Sequence, residues 1–389
     1  MPDTVTPQPN DPNRVVDADS PVREIKGVEE VKEEIGLCLS GGGYRAMVFH
    51  IGVLWRLNQA GWLPRLDRIS SVSGGSITSA VLGMRWNELA FDIRGVAQRF
   101  GEVVVAPLRG LAGQTIDKPS ILGGIFGFGT ISEKVAKAYD KHLYQGATLQ
   151  ALPDAPRFVI NATSVQSGAL WRFSKPYMAD YRVGRVNNPQ VRLADAVAAS
   201  SAFPPVLSPS ALKMKPGAVK SMPGTDLDQA PYTTDAVLTD GGVYDNMGLE
   251  TVWKNHKTVL VSDAGGKMQP EPEPHEDWAR HFIRIIDIVD NQVRSLRKQQ
   301  VIAAYLQGKR KGAYWGIRSN VEDFKLADAL PCPFSRTLAL ANTETRLKEM
   351  PGELQERLIN WGYAVCDTAL RKHVDLAIPK GEFPYPRGV

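Results

Sequence analysis

Three short stretches carry groups able to act together on one substrate: Ser40-Gly41-Gly42-Gly43, Ser71-Val72-Ser73-Gly74-Gly75 and Asp240-Gly241-Gly242. A serine in a tight turn between strand and helix projects its hydroxyl above the sheet edge. The helix N-terminus behind it favours developing negative charge. Such a turn needs small residues two positions to either side. Ser73 has Ser71 and Gly75 there, so the pattern is S-x-S-x-G rather than the usual G-x-S-x-G. Ser71 would have Ile69 two positions before it, and Ser76 would have Thr78 two after, both β-branched. Ser73 is therefore the candidate nucleophile, although the same residues alone would also make an ordinary helix cap.

Gly41, Gly42 and Gly43 present unobstructed backbone N–H groups after a buried strand. A loop of this kind can serve as an oxyanion hole, each preorganised donor contributing about 3 kcal/mol to a transition state. It would also suit a phosphate. Read literally, Gly41-x-Gly43-x-x-Ala46 is a dinucleotide fingerprint, but the next strand ends in Ser-Val-Ser, without the carboxylate that would hold a ribose. No GxxxxGK[ST] occurs, which excludes a P-loop. The candidate base is Asp240, whose carboxyl can accept a serine proton if partial burial raises its pKa; a plain Asp-Gly turn is the alternative. A Ser-Asp-His triad would call on His256 or His281 among the six histidines. HExxH is absent and no Cys/His cluster has zinc spacing, so no metal is expected.

These groups need a sheet edge to hold them. Ile35–Leu39 is a continuous apolar run, as expected of a strand buried on both faces. A helical period follows over Tyr44–Ala60, then a strand over Arg68–Val72 and a helix from Gly75 to Trp86. The βαβα alternation implies a parallel sheet with helices on its faces, with Ser73 and Asp240 both at its carboxyl edge. Phe158–Ala162, Leu170–Phe173, Ala236–Thr239 and Thr258–Ser262 read as further strands, and long helices are expected over Asp277–Gln307 and Glu344–Lys372.

The 389 residues are 43 % hydrophobic and 23 % charged, which excludes collagen-like, coiled-coil and wholly disordered chains. A net charge of +4 argues against nucleic acid as a main partner. Cys38, Cys332 and Cys366 cannot form a disulfide framework, and a reducing cytosol fits them best. No run of 18 apolar residues predicts a membrane span. Residues 1–24, rich in Pro, Asp and Asn, read as a disordered arm, with one domain over 25–389. Pro119–Thr130 is apolar and glycine-rich, suited to covering the core or to touching lipid. The basic residues Arg294, Arg297, Lys298, Lys309, Arg310 and Lys311 read as a solvated helix face.

Ser40-Gly41-Gly42-Gly43-Tyr44-Arg45-Ala46, the serine turn about 30 residues on, and Asp240-Gly241-Gly242 together resemble the patatin-like phospholipases; SGGGYRAM also looks like the glycine loop of the related cytosolic phospholipase A2 group. Ala194–Pro205 is similar to the family's Ala/Ser-rich helix before proline. The resemblance spans about residues 33–265. It implies a three-layer α/β/α fold with a mostly parallel central sheet. It also implies a Ser-Asp dyad of Ser73 and Asp240, an oxyanion hole from Gly41, Gly42 and Gly43, and hydrolysis of phospholipid or other acyl esters without cofactor or Ca²⁺. Arg45 matches an arginine that faces the substrate phosphate; a first-turn ion pair is the alternative. Peripheral membrane contact is expected with such a substrate. A catalytically silent scaffold and, less favoured, a nucleotide-binding oxidoreductase are the competing functions. Ser71 in place of glycine is the departure from the family pattern.

Overall fold

Alternation along the central strands decides which core each side chain joins. In β1 (Lys32–Leu39), Leu37 and Leu39 point into the larger core, while Cys38 points into a second, smaller one. The computed structural model describes residues 31–116 and 130–389; the arm expected over residues 1–24 and the glycine-rich stretch up to Gly129 lie outside them. After β1 come α1 (Gly43–Gln59), β2 (Arg68–Val72) and α2 (Gly74–Met84). Helices at Ala106–Ala112 and Ile131–Tyr139 precede β3 (Arg157–Ser164), β4 (Leu170–Phe173), β5 (Tyr177–Asp180) and β6 (Gly184–Asn187). Next are α3 (Leu193–Ser200), β7 (Ser210–Lys213), β8 (Asp235–Asp240), β9 (His256–Asp263), α4 (Trp278–Leu306), β10 (Lys311–Gly316) and α5 (Gly352–His373).

The sheet order is β10-β9-β1-β2-β3-β4-β5-β6, with β8 paired to β3 and β7 to β8. Strands from β10 to β3 are parallel, and the remainder are antiparallel. Helices cover both faces. Residues of α1, α2 and α5 share the larger core, whereas Val301 and Tyr305 of α4 pack with Cys38, Val259 and Val261 on the opposite side. The expected strands and helices are all present, with one boundary moved: α5 starts at Gly352, not near Glu344, with Pro351 as its N-cap. Proline has no N–H to donate and its ring obstructs a preceding helical turn, so the helix begins after it.

One correction concerns direction. Asp240 was expected on a parallel strand, yet β8 runs antiparallel to β3. Residues 162 and 163 of β3 pair with both β4 and β8, so those two strands occupy opposite edges. Residues 160 and 161 likewise pair with both β2 and β4. Strands β2 and β8 therefore share one edge of β3 and meet tip to tip, Val72 opposite Asn161 and Asp240 opposite Ala162. Residues 73 and 240 converge because two strands approach each other head-on along the same template.

Helices α1 and α5 are joined by a buried ion pair, Arg56 Nε to Asp367 Oδ1 at 2.7 Å, with side chains 3 % and 0 % exposed. Asp367 also pairs with Arg371 and accepts the Gly381 N–H. Asp367→Ala leaves a buried guanidinium without its carboxylate. Chemical denaturation should show a loss of about 3–5 kcal/mol.

Candidate active site

Ser73 caps α2 with φ 50° and ψ −119°, a left-handed conformation that non-glycine residues rarely adopt. The strained turn aims its hydroxyl out of the sheet edge. Its neighbours Ser70, Ser71 and Ser76 are each 0 % exposed, whereas Ser73 retains 7 %, so it is the serine of this turn that solvent can reach. The Ser73 N–H donates to Ser200 Oγ at 3.0 Å, and Ser200 Oγ in turn donates to the Asn161 carbonyl at 2.6 Å and bonds Ser76 Oγ at 2.9 Å. Ser200, at the end of α3, thus holds the strained turn in place.

Ser71 causes no disturbance. Its hydroxyl accepts from Ser76 Oγ at 3.1 Å and Ser79 Oγ at 2.7 Å and donates to the Val159 carbonyl at 3.3 Å. A buried hydroxyl with its bonds satisfied costs little, which explains why serine can replace glycine two positions before Ser73. Ser200→Ala has the opposite consequence, stranding the buried Ser73 N–H. The expected cost is about 1–3 kcal/mol in denaturation.

The Asp240 carboxyl lies beside the Ser73 side chain, which acts to lower its pKa, and its Oδ1 accepts the Gly242 N–H at 2.7 Å. Its backbone is pinned as well: its N–H donates to the Ala202 carbonyl, and its carbonyl accepts from Thr163 Oγ1. Only 2 % exposed, Asp240 has its pKa raised to about 7. Burial is the main cause, and the negative charge of Asp290 on α4 adds to it; the Gly242 bond and the Ser73 side chain oppose the rise. A hydroxyl beside a carboxyl that titrates near neutrality can exchange its proton with it. No histidine intervenes: His256 bonds the Val252 carbonyl, and His281 is exposed on α4. His50 is buried between Ser262 and Ser40, and burial lowers its pKa to about 4, keeping it neutral.

The glycine loop lies against Ser73, close enough that a Cβ on Gly41 would sit 3.1 Å from Ser73 Cβ. Gly42 and Gly43 have φ of 141° and 59°, which only glycine adopts readily. Gly41 departs from expectation: its N–H already donates to the Asn246 carbonyl at 3.0 Å, so it is not free to receive an oxyanion. The Gly42 and Gly43 N–H groups have no acceptor among the described residues. Ser40 anchors the loop from below, its hydroxyl accepting the Ala264 N–H at 2.7 Å and its carbonyl accepting the Gly75 N–H at 3.2 Å.

Arg45 is buried behind the loop rather than ion-paired. Its Nε and Nη2 donate to the Ala264 carbonyl at 3.3 and 3.1 Å, and Nη1 donates to the Thr343 carbonyl at 2.5 Å. It forms part of the wall of a recess of about 310 Å³ that also includes Arg318 and Lys267. Burial lowers its pKa to about 10, and the nearby Arg318 and Arg294 push the same way.

The basic residues late in the chain are only partly a solvated face. Arg294 donates to the Gly266 carbonyl at 2.8 Å and lies 3.8 Å from Asp263, while Arg297 lies 3.4 Å from Glu250. These inward pairs tie α4 to the rim of the site. Among the described residues no group of acidic, histidine and cysteine side chains could hold a metal, and no helix is long and apolar enough to cross a membrane.

A family model described as patatin-like phospholipase matches residues 37–253. No curated protein matches the sequence. Among solved structures, human GIVD cytosolic phospholipase A2 in complex with methyl gamma-linolenyl fluorophosphonate is similar at 12 % identity, with a TM-score of 0.49 over 88 % of this chain and 58 % of that one. VipD from Legionella pneumophila is similar at 16 % identity and a TM-score of 0.36, over 88 % and 68 %. A further structure of human GIVD cytosolic phospholipase A2 is similar at 14 % identity and a TM-score of 0.39, over 59 % and 45 %. The chain thus spans less than two thirds of the human enzyme's length.

Proposed function

This chain belongs to the patatin-like phospholipase family, and from that premise we propose that it is a serine acyl hydrolase that releases fatty acid from phospholipid with a two-residue dyad. Ser73 attacks the ester carbonyl while Asp240 takes its proton. The tetrahedral oxyanion forms against the free N–H groups of Gly42 and Gly43, and Gly41 shapes the loop through its bond to Asn246. Asp240 returns the proton to the departing alcohol, leaving an acyl-Ser73. Asp240 then accepts a proton from water, which attacks the acyl carbon; as the acyl–oxygen bond breaks, Asp240 returns that proton to Ser73 Oγ and fatty acid leaves.

The single observation that carries this reading is the head-on meeting of β2 and β8, which sets Ser73 beside a buried carboxyl whose pKa is raised to about 7. An ordinary surface aspartate would be too weak a base. Near neutrality, Asp240 can both receive and return a proton in one cycle. The Arg45 guanidinium, behind the loop and in the wall of a recess, is suited to attract the phosphate of the same substrate.

A phospholipid panel with mass-spectrometric detection tests the proposal. The parent chain should release fatty acid and lysophospholipid, while Gly42→Ala should reduce turnover about 100-fold by displacing the loop. Release of no fatty acid from any phospholipid or short-chain ester would favour the silent scaffold.

A further inference from the structure

Helix α4 exposes an unusual number of large apolar side chains for a surface helix. Three of its arginines face the protein, Arg284 against Glu271, Arg294 against Asp263 and Arg297 against Glu250, while Arg280, Asp287 and Lys298 are exposed. Its large apolar residues face outward: Trp278 is 83 % exposed, Phe282 60 %, Ile286 49 %, Val289 51 % and Leu296 57 %. At about 100° per residue, the exposed apolar side chains from Ile288 round to Ile286 cover an arc of about 160°, with exposed Ile283 and Ile302 outside it. No Asp, Glu, Lys or Arg falls within that arc.

Two features select the occupant. A two-helix seam is a narrow stripe, and an arc this wide would leave much of its apolar surface in water after pairing. Exposed apolar side chains also occur beside the site itself. Phe203 at 58 % and Val243 at 53 % flank Ala202 and Gly242, both hydrogen-bonded to Asp240. Arg297 of α4 reaches the Tyr244 carbonyl beside Val243. The helix therefore adjoins a rim of the site that itself exposes apolar side chains.

We propose that α4 is an interfacial docking helix that lays its outward apolar arc into a lipid bilayer and brings the Ser73 edge of the sheet to the membrane surface. An uncharged arc can enter the acyl boundary by about 5–10 Å without burying an unpaired charge. The inward arginine pairs fix the angle between the helix and the catalytic rim. This docking deepens the lipid hydrolase reading and rests on it for its biological purpose, although the binding itself does not require hydrolysis.

The experiment is co-sedimentation of the Ser73→Ala chain with vesicles of equimolar phosphatidylglycerol and phosphatidylethanolamine. Alongside it is run the same chain carrying Phe282→Gln, Ile286→Gln and Val289→Gln. The triple variant should partition about 100-fold more weakly. In the Ser73 background it should lose vesicle hydrolysis to a similar extent yet cleave a water-soluble butyrate ester at the parent rate. Val289→Glu is the second variant, with a smaller loss in the same direction and circular dichroism like the parent. Equal sedimentation of parent and triple variant, or no sedimentation of the parent, overturns the proposal. A dimer that the triple variant dissociates while vesicle binding is unchanged also overturns it, and assigns the arc to a second copy. Vesicle binding lost in the triple variant, with no ester cleaved by the parent, supports docking and counts against the hydrolase reading instead.

Discussion

Ser73→Ala should abolish covalent labelling by a fluorophosphonate and reduce ester hydrolysis by about 10⁴-fold or more. The large effect follows from geometry. Ser70, Ser71 and Ser76 are wholly buried in hydrogen bonds, so no neighbouring hydroxyl can substitute. The backbone supplies a second reading of the same residue. At φ 50°, alanine retains the strain of the turn and glycine does not. Ser73→Gly should therefore be as inactive as Ser73→Ala but more stable by about 1 kcal/mol in denaturant unfolding. Equal stability of the two variants would show that the turn relaxes when the hydroxyl is removed.

Asp240→Asn should reduce hydrolysis by about 10³-fold, and its stability should respond to pH in a way that identifies the cause. The carboxyl has an ordinary value of 3.8 and is raised to about 7 in the folded chain. Below about pH 4 both folded and unfolded forms are protonated, and folding carries no penalty from this group. Between about pH 4 and pH 7 the unfolded chain releases the proton that the folded chain keeps, so stability falls as pH rises; above about pH 7 the penalty is constant. Asparagine carries no such penalty. The variant should melt higher than the parent at pH 8, with the advantage shrinking towards pH 4. Hydrolysis by the parent should rise with pH and reach half its plateau near pH 7, because the base must be ionised to accept the Ser73 proton. A plateau already complete at pH 5 would indicate an ordinary carboxylate.

Much of this arrangement is legible in the chain. The continuous apolar run Ile35–Leu39 marks β1, and Arg68–Val72 and Leu170–Phe173 have the observed strand limits, because short apolar runs bounded by Gly, Ser or Asp leave little freedom. Ser73 follows from the small residues around it. The meeting of β2 and β8 does not. Strand direction depends on pairing with β3, and a run such as Ala236–Thr239 reads the same either way. Ser200 lay within the recognised Ala/Ser-rich helix, but its bond to the Ser73 N–H depends on how α3 packs. Likewise, Gly41 is indistinguishable in sequence from Gly42 and Gly43 until Asn246 takes its N–H. The period of α4 predicts a helix. It does not predict that Arg294 and Arg297 turn inward, since that depends on Asp263 and Glu250 lying beneath them.

The most direct measurement is the crystal structure of the chain inactivated with a long-chain fluorophosphonate. Phosphorus should be bonded to Ser73 Oγ, one phosphonyl oxygen should accept from the Gly42 and Gly43 N–H groups, and the Asp240 carboxyl should remain beside Oγ with no histidine between them. Phosphorus on another residue, or its oxygen turned away from the glycine loop, would contradict the dyad.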